Sequence, residues 1–137
     1  MSIRWSEEDL QRFRPRLAAG DALIPEKRHK YGARRTEVDG ILFDSKAEAA
    51  YYEELKVARA KGGVAYFLRQ VPFTLPGNTV YRCDFMVVKA SGEVKFVDVK
   101  GHVTPMFRTK KRQVEALYPV RIRCVKRQGG RFIEIEV

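Results

Sequence analysis

The stretch DSKAEAAYYEELKVARAKGG, residues 44–63, constrains the fold more than any other part of the chain. Asp44 or Ser45 can cap it as a helix, and Gly62-Gly63 can stop it. At about 100° per residue, Tyr51, Tyr52, Leu55 and Ala58 all fall within roughly 80° of Glu48, a single apolar stripe that needs a surface to cover. The periodicity then changes. Strands are expected at residues 65–75 (with an interruption possible in principle at Pro72), 81–88 and 94–100. A basic helix follows at 106–117, ending before Pro119, and two last strands at 120–125 and 131–137 flank Gly129-Gly130. Upstream, TEVDGILF carries Asp39-Gly40 between apolar-rich flanks, a tight-hairpin signal. Helix, three strands, helix, strands predicts an α/β domain with a mixed central β-sheet flanked by helices.

The chain of 137 residues is long enough for one domain with a substantial core. Residues 1–26 read as an N-terminal helix and linker: Ser6 caps residues 6–14, Trp5 can staple onto Leu10, and Pro15 ends the run. Residues 27–137 form the main domain, opening on a basic arm at 27–35 that carries Lys27, Arg28, Lys30, Tyr31, Arg34 and Arg35. Lysine and arginine outnumber aspartate and glutamate by 27 to 17, a formal charge of +10. Such a field attracts polyanions, and nucleic acid is the commonest of these. The basic residues are spread over arms, a helix and a strand, which argues against one membrane-binding face. No membrane span or secretory signal is present, and the chain reads as soluble and intracellular. Two cysteines, Cys83 and Cys124, and two histidines, His29 and His102, make a structural zinc site a poor fit.

Three carboxylates and a lysine carry the chemistry. Glu48 lies within the apolar stripe, where an unpaired carboxylate is costly to bury. Ser45-Lys46-Ala47-Glu48 also matches a capping box, which would account for Glu48 without any active site. In YRCDFMVV, strand alternation puts Arg82, Asp84, Met86 and Val88 on one face, with Met86 and Val88 read as core under a helix. In KFVDVKG, Phe96, Asp98 and Lys100 share a face. Asp84 stands seven residues before Ser91 and Asp98 seven after it, so a hairpin turning there makes them cross-strand neighbours. Alone, Asp98 and Lys100 favour a strand-end ion pair. Together with Asp84 and Glu48, they fit a site for a hard cation such as magnesium or manganese.

These segments resemble the PD-(D/E)XK nuclease superfamily, and within it small phage resolvase-like nucleases related to archaeal Holliday-junction resolvases. The resemblance spans about residues 30–125 and rests on KYGARRTEVDGILFDSKAEAAYYEEL, QVPFTL, YRCDF, VDVKG and FRTKKRQVEALYP. The proline of the motif is replaced here by Cys83, while the aspartate after it, Asp84, is kept. The resemblance implies a restriction-endonuclease-like core in which Asp84, Asp98 and the Val99 carbonyl bind Mg2+, with Mn2+ as a substitute. Glu48 would help to hold the metal, and Lys100 would position or activate the attacking water. Gln70 and either Lys110 or Lys111 are implied as auxiliary groups.

The expected function is Mg2+-dependent hydrolysis of phosphodiester bonds in branched DNA, as a Holliday junction resolvase making paired nicks in four-way junctions. Paired cuts favour a homodimer. The arm at 27–35 together with Arg108, Lys111 and Arg112 would grip phosphates. The expected location is the cytoplasm, a host's cytoplasm if the chain is phage-encoded. The alternatives are a nuclease on forks, flaps or single strands, a nickase, or a non-catalytic basic nucleic-acid-binding module.

Overall fold

The computed structural model describes residues 35–137. The N-terminal helix at 6–14 and most of the basic arm, Lys27, Arg28, Lys30, Tyr31 and Arg34, lie outside the described residues.

The described part opens on a two-stranded hairpin, β1 (Thr36–Val38) and β2 (Ile41–Phe43). Asp39 and Gly40 both have positive φ, 54° and 74°, the geometry of the mirror-image turn that matches strand twist. Helix α1 (Lys46–Ala60) follows, with the Ser45 hydroxyl accepting the Glu48 N–H at its amino end. A five-stranded sheet then runs in the order β3 (Val64–Leu75), β4 (Thr79–Lys89), β5 (Val94–Val99), β6 (Ile122–Gln128) and β7 (Arg131–Ile135). β5 and β6 are parallel and joined through α2 (Pro105–Leu117), while the other neighbours are antiparallel. The fold is therefore α/β with a mixed central sheet and two helices, compatible with a restriction-endonuclease-like core. No helix among the described residues is long and apolar enough to cross a membrane.

Two apolar layers form. Ala49 and Leu55 of α1 pack with Phe43, Phe85, Val87, Val97 and Val99. Phe107 and Val114 of α2 pack with Phe73, Tyr81, Cys83, Ile122 and Cys124. The α1 stripe sits as its spacing predicts: Leu55 is buried, and Tyr51, Tyr52 and Ala58 pack on the first layer. Pro72 does not interrupt β3, where it pairs opposite Arg82. β3 is an edge strand, so the missing Pro72 N–H can face away from the ladder.

The core face of β4 differs from the expected one. Tyr81, Cys83, Phe85 and Val87 are buried, whereas Met86 and Val88 are only half-buried. These four buried residues have the same parity, yet Tyr81 and Cys83 join the α2 layer while Phe85 and Val87 join the α1 layer. The same exchange occurs on β3, where Phe67 packs with the α1 layer and Phe73 with the α2 layer. A regular strand cannot do this, because its side chains alternate strictly. The register pairs Arg69 with Phe85 and Val71 with Cys83 but omits Gln70 and Asp84, and Gln70 has a φ of 51°. Each strand sets one residue aside at the same level. The register survives, and both strands change the side that they bury.

Candidate active site

The candidate site is built around this irregular step. Gln70 Nε2 donates to Glu48 Oε1 at 3.1 Å and to Asp84 Oδ1 at 3.4 Å, joining α1, β3 and β4. The other Asp84 oxygen accepts the Val99 N–H of β5 at 2.9 Å. Glu48 also faces the Arg69 guanidinium at 3.8 Å, which lies 4.3 Å over the Phe43 ring. The capping-box reading of Glu48 is thus half made. Ser45 accepts from its N–H, but its carboxylate turns to Gln70 and Arg69.

The β4–β5 ladder ends at Phe85 and Val97, and one further step would set Asp84 opposite Asp98, as the turn count requires. Instead β5 leaves β4 there and stays with β6 through Val99 and Val125. The Lys100 N–H bonds to the Val125 carbonyl, so Lys100's backbone faces β6. In an extended strand the N–H and C=O of one residue share an edge, so the Val99 carbonyl lies on the same side as its N–H, toward β4 and Asp84.

Asp98 is the least satisfied group of the set. It is 1% exposed, and neither carboxylate oxygen has a hydrogen-bond partner. Its ion pair with Lys100 Nζ is loose, at 3.5 Å. Lys100 in turn lies 4.3 Å over the Phe107 ring of α2. Glu48, Gln70, Asp84 and Val99 therefore form one hydrogen-bonded string, and Asp98 with Lys100 a second pair beside it.

Electrostatics follow from burial. Burial pushes the Glu48 carboxyl up to about 7, with the neighbouring Asp84 and Asp44 charges adding to it and Arg69 and Gln70 opposing. Burial also raises Asp98 to about 6 against the pull of Lys100. Asp84 is raised for the same reason, opposed by the Val99 N–H, Lys100 and Gln70. Each of the three carboxylates is held where ionisation is unfavourable without a nearby cation.

Among the described residues, no three acidic, histidine or cysteine side chains are gathered closely enough to enclose a metal ion as they stand. The donor set still suits a hard cation: a buried carboxylate with two orphaned oxygens, a second carboxylate, and a backbone carbonyl on the side of that second carboxylate. Binding would require Asp98 to exchange Lys100 for the ion.

Residues 28–129 match the family described as "Protein of unknown function (DUF1064)". The chain belongs to that family. No curated protein matches it. The DUF1064 match takes in every residue of the two polar groups just described.

The two auxiliary lysines of this DUF1064 protein part company. Lys111 is tied to Glu115 at 2.8 Å, and Glu115 also accepts the Ile122 N–H, so Lys111 braces α2 against β6. Lys110 instead lines a cleft with Lys100 and Arg82. Arg108 and Arg112 are exposed on α2, and Arg35 is exposed at the entry to β1. Sequence reasoning missed Arg69, which strict alternation could not aim at Glu48. It also did not single out Arg82, which lines the same cleft as Lys110 and which alternation already placed on the face of Asp84.

Proposed function

We propose that this protein is a metal-dependent DNA endonuclease of the PD-(D/E)XK type that acts on branched DNA. The observation that carries the reading is Asp98, a fully buried carboxylate with neither oxygen hydrogen-bonded, two residues from Lys100 and beside the Asp84–Val99 contact. A purely structural aspartate in such a place would be expected to have its oxygens satisfied.

Asp84, Asp98 and the Val99 carbonyl would hold a divalent cation. When bound, the cation supplies an activated water and charge neutralisation at the phosphate. Gln70 orients Asp84 and Glu48 by donating to both. Lys100, released from Asp98, offers its ammonium to the scissile phosphate, with its stem held against Phe107. The excess of cations supplies affinity for the DNA backbone, so binding weakens with salt. Paired nicking of a four-way junction calls for two such sites, hence a homodimer.

The deciding assay compares labelled four-way junctions, forks, flaps and linear duplex with magnesium. Symmetric paired nicks near the crossover of the junction alone support the resolvase form; equal cutting of linear duplex rules it out. Normal cleavage by Asp98→Asn would overturn the nuclease reading altogether. One observation favours the alternative, a non-catalytic basic binding module: Asp98 already holds Lys100 as its counter-charge. That alternative expects tight DNA binding and no magnesium-dependent product from any substrate.

A further inference from the structure

Beside the candidate site lies a cleft of about 260 Å³, where the amino end of α2 meets β4. Arg82, Lys100 and Lys110 line it, and no carboxylate does. Among the described residues, neither Arg82 nor Lys110 takes part in an ion pair. A larger cleft between α2, β6 and β7 differs in this respect. Its cations Lys111 and Arg123 are answered by Glu115 at 2.8 Å and Glu134 at 3.5 Å, and Glu136 lines it beside Arg121. The first cleft has cations and no lining carboxylate; the second sets Glu134 and Glu136 among its cations.

Two further features suit a nucleotide phosphate. Helix α2, thirteen residues long, opens on Pro105, which has no N–H, and its Phe107 N–H is capped by the Thr104 hydroxyl at 3.1 Å. The Met106 N–H is left as the free donor of the first turn, at the positive end of the helix dipole. The rim is apolar where a nucleoside would rest: Met106 is 64% and Val80 42% exposed. Cations beside exposed apolar side chains suit a phosphate with its sugar or base attached.

We propose that this cleft binds the phosphodiester next to the cleaved one, with Arg82 and Lys110 as its counter-charges and Met106 and Val80 against the attached nucleoside. Lys100, shared between cleft and site, sets the spacing of the two phosphates. The proposal rests on the nuclease reading for its meaning, but its test does not depend on cleavage.

The probe is a thymidine tetranucleotide, added in EDTA to the full chain and to Asp98→Asn and followed by amide NMR. Shifts are expected at Arg82, Met106 and Phe107. Arg82→Ala and Lys110→Ala should each weaken binding about three- to tenfold and lower the salt slope by about 0.7 for the lost contact. Arg123→Ala, at the compensated cleft, serves as the control and should not. In cleavage assays, Arg82→Ala should raise KM by a larger factor than it lowers kcat. Unchanged affinity in both variants, or shifts confined to Arg108 and Arg112, overturns the proposal. If Asp98→Asn cleaves normally, the nuclease reading fails while tetranucleotide binding still decides the subsite. If Asp98→Asn is inactive but the cleft shows no shifts, the subsite fails alone.

Discussion

Asp98→Asn should make the metal-free protein more stable at pH 8. Burial raises the Asp98 carboxyl from 3.8 to about 6 in the folded state. A raised carboxyl favours folding fully below its unfolded value, and that contribution is lost as pH rises through the folded one. At about 1.4 kcal/mol per tenfold, the loss amounts to roughly 3 kcal/mol between pH 4 and 8. Asparagine removes this penalty, which is already net of the Lys100 attraction, but brings an amide donor that needs a partner. That cost reduces the expected gain at pH 8 to about 1–2 kcal/mol. At pH 5 the unfolded carboxyl is ionised and the folded one mostly is not, so about half of the penalty is present; set against the amide cost, the two proteins should be nearly equal. Thermal unfolding in EDTA at both pH values reads the difference directly, as a rise in Tm of roughly 3–10 °C at pH 8 alone. Glu48, raised to about 7, titrates in an overlapping window, so the comparison is made between variants and not from the wild-type curve. Magnesium should then raise the Tm of the wild type at pH 8 and leave Asp98→Asn unmoved. An equal loss of stability at both pH values would refute the reasoning, because the loose Lys100 pair would then outweigh the burial penalty.

Gln70→Leu removes the amide shared by Glu48 and Asp84 and should cost about 1–3 kcal/mol at pH 8 and less at pH 5, by urea unfolding. Lys100→Ala should abolish magnesium-dependent cleavage while retaining binding to branched DNA in calcium, measured by gel shift. Ser45→Ala removes the cap on the Glu48 N–H and should cost about 1 kcal/mol with little change in catalysis per folded molecule.

What the sequence revealed was what neighbouring residues decide. Asp39-Gly40 specified its turn because both residues tolerate positive φ. Helix spacing turned Glu48 inward, and counting from Ser91 found the β4–β5 register to the residue. The assignment of Met86 and Val88 to the core failed because both faces of this strand carry large apolar residues, and the buried parity is that of Tyr81, Cys83, Phe85 and Val87. No residue type at Gln70 or Asp84 announces that both leave the ladder together; glycine, the usual sign of such a step, is absent from both positions. The choice between Lys110 and Lys111 was likewise out of reach, because it depends on Glu115, four residues along the helix, reaching the Ile122 N–H of β6.

That irregular step also explains why a polar site can exist between two apolar layers. A sheet interior tolerates polar groups only if they are satisfied, and setting Gln70 and Asp84 aside creates the means to satisfy them. Asp84 takes over the Val99 N–H where the β4–β5 ladder ends, and Gln70 binds Asp84 and Glu48. If the cluster served only to close the gap between diverging strands, the chain could place an apolar residue at position 98, where Phe96 on the same face and Cys124 paired opposite already belong to an apolar layer. It places a carboxylate there, buries it, and meets it with nothing closer than a lysine at 3.5 Å. Removing that carboxylate is therefore the informative perturbation. Where stability and function pull on one residue in opposite directions, a gain of stability accompanied by loss of magnesium response identifies a group retained for what it binds.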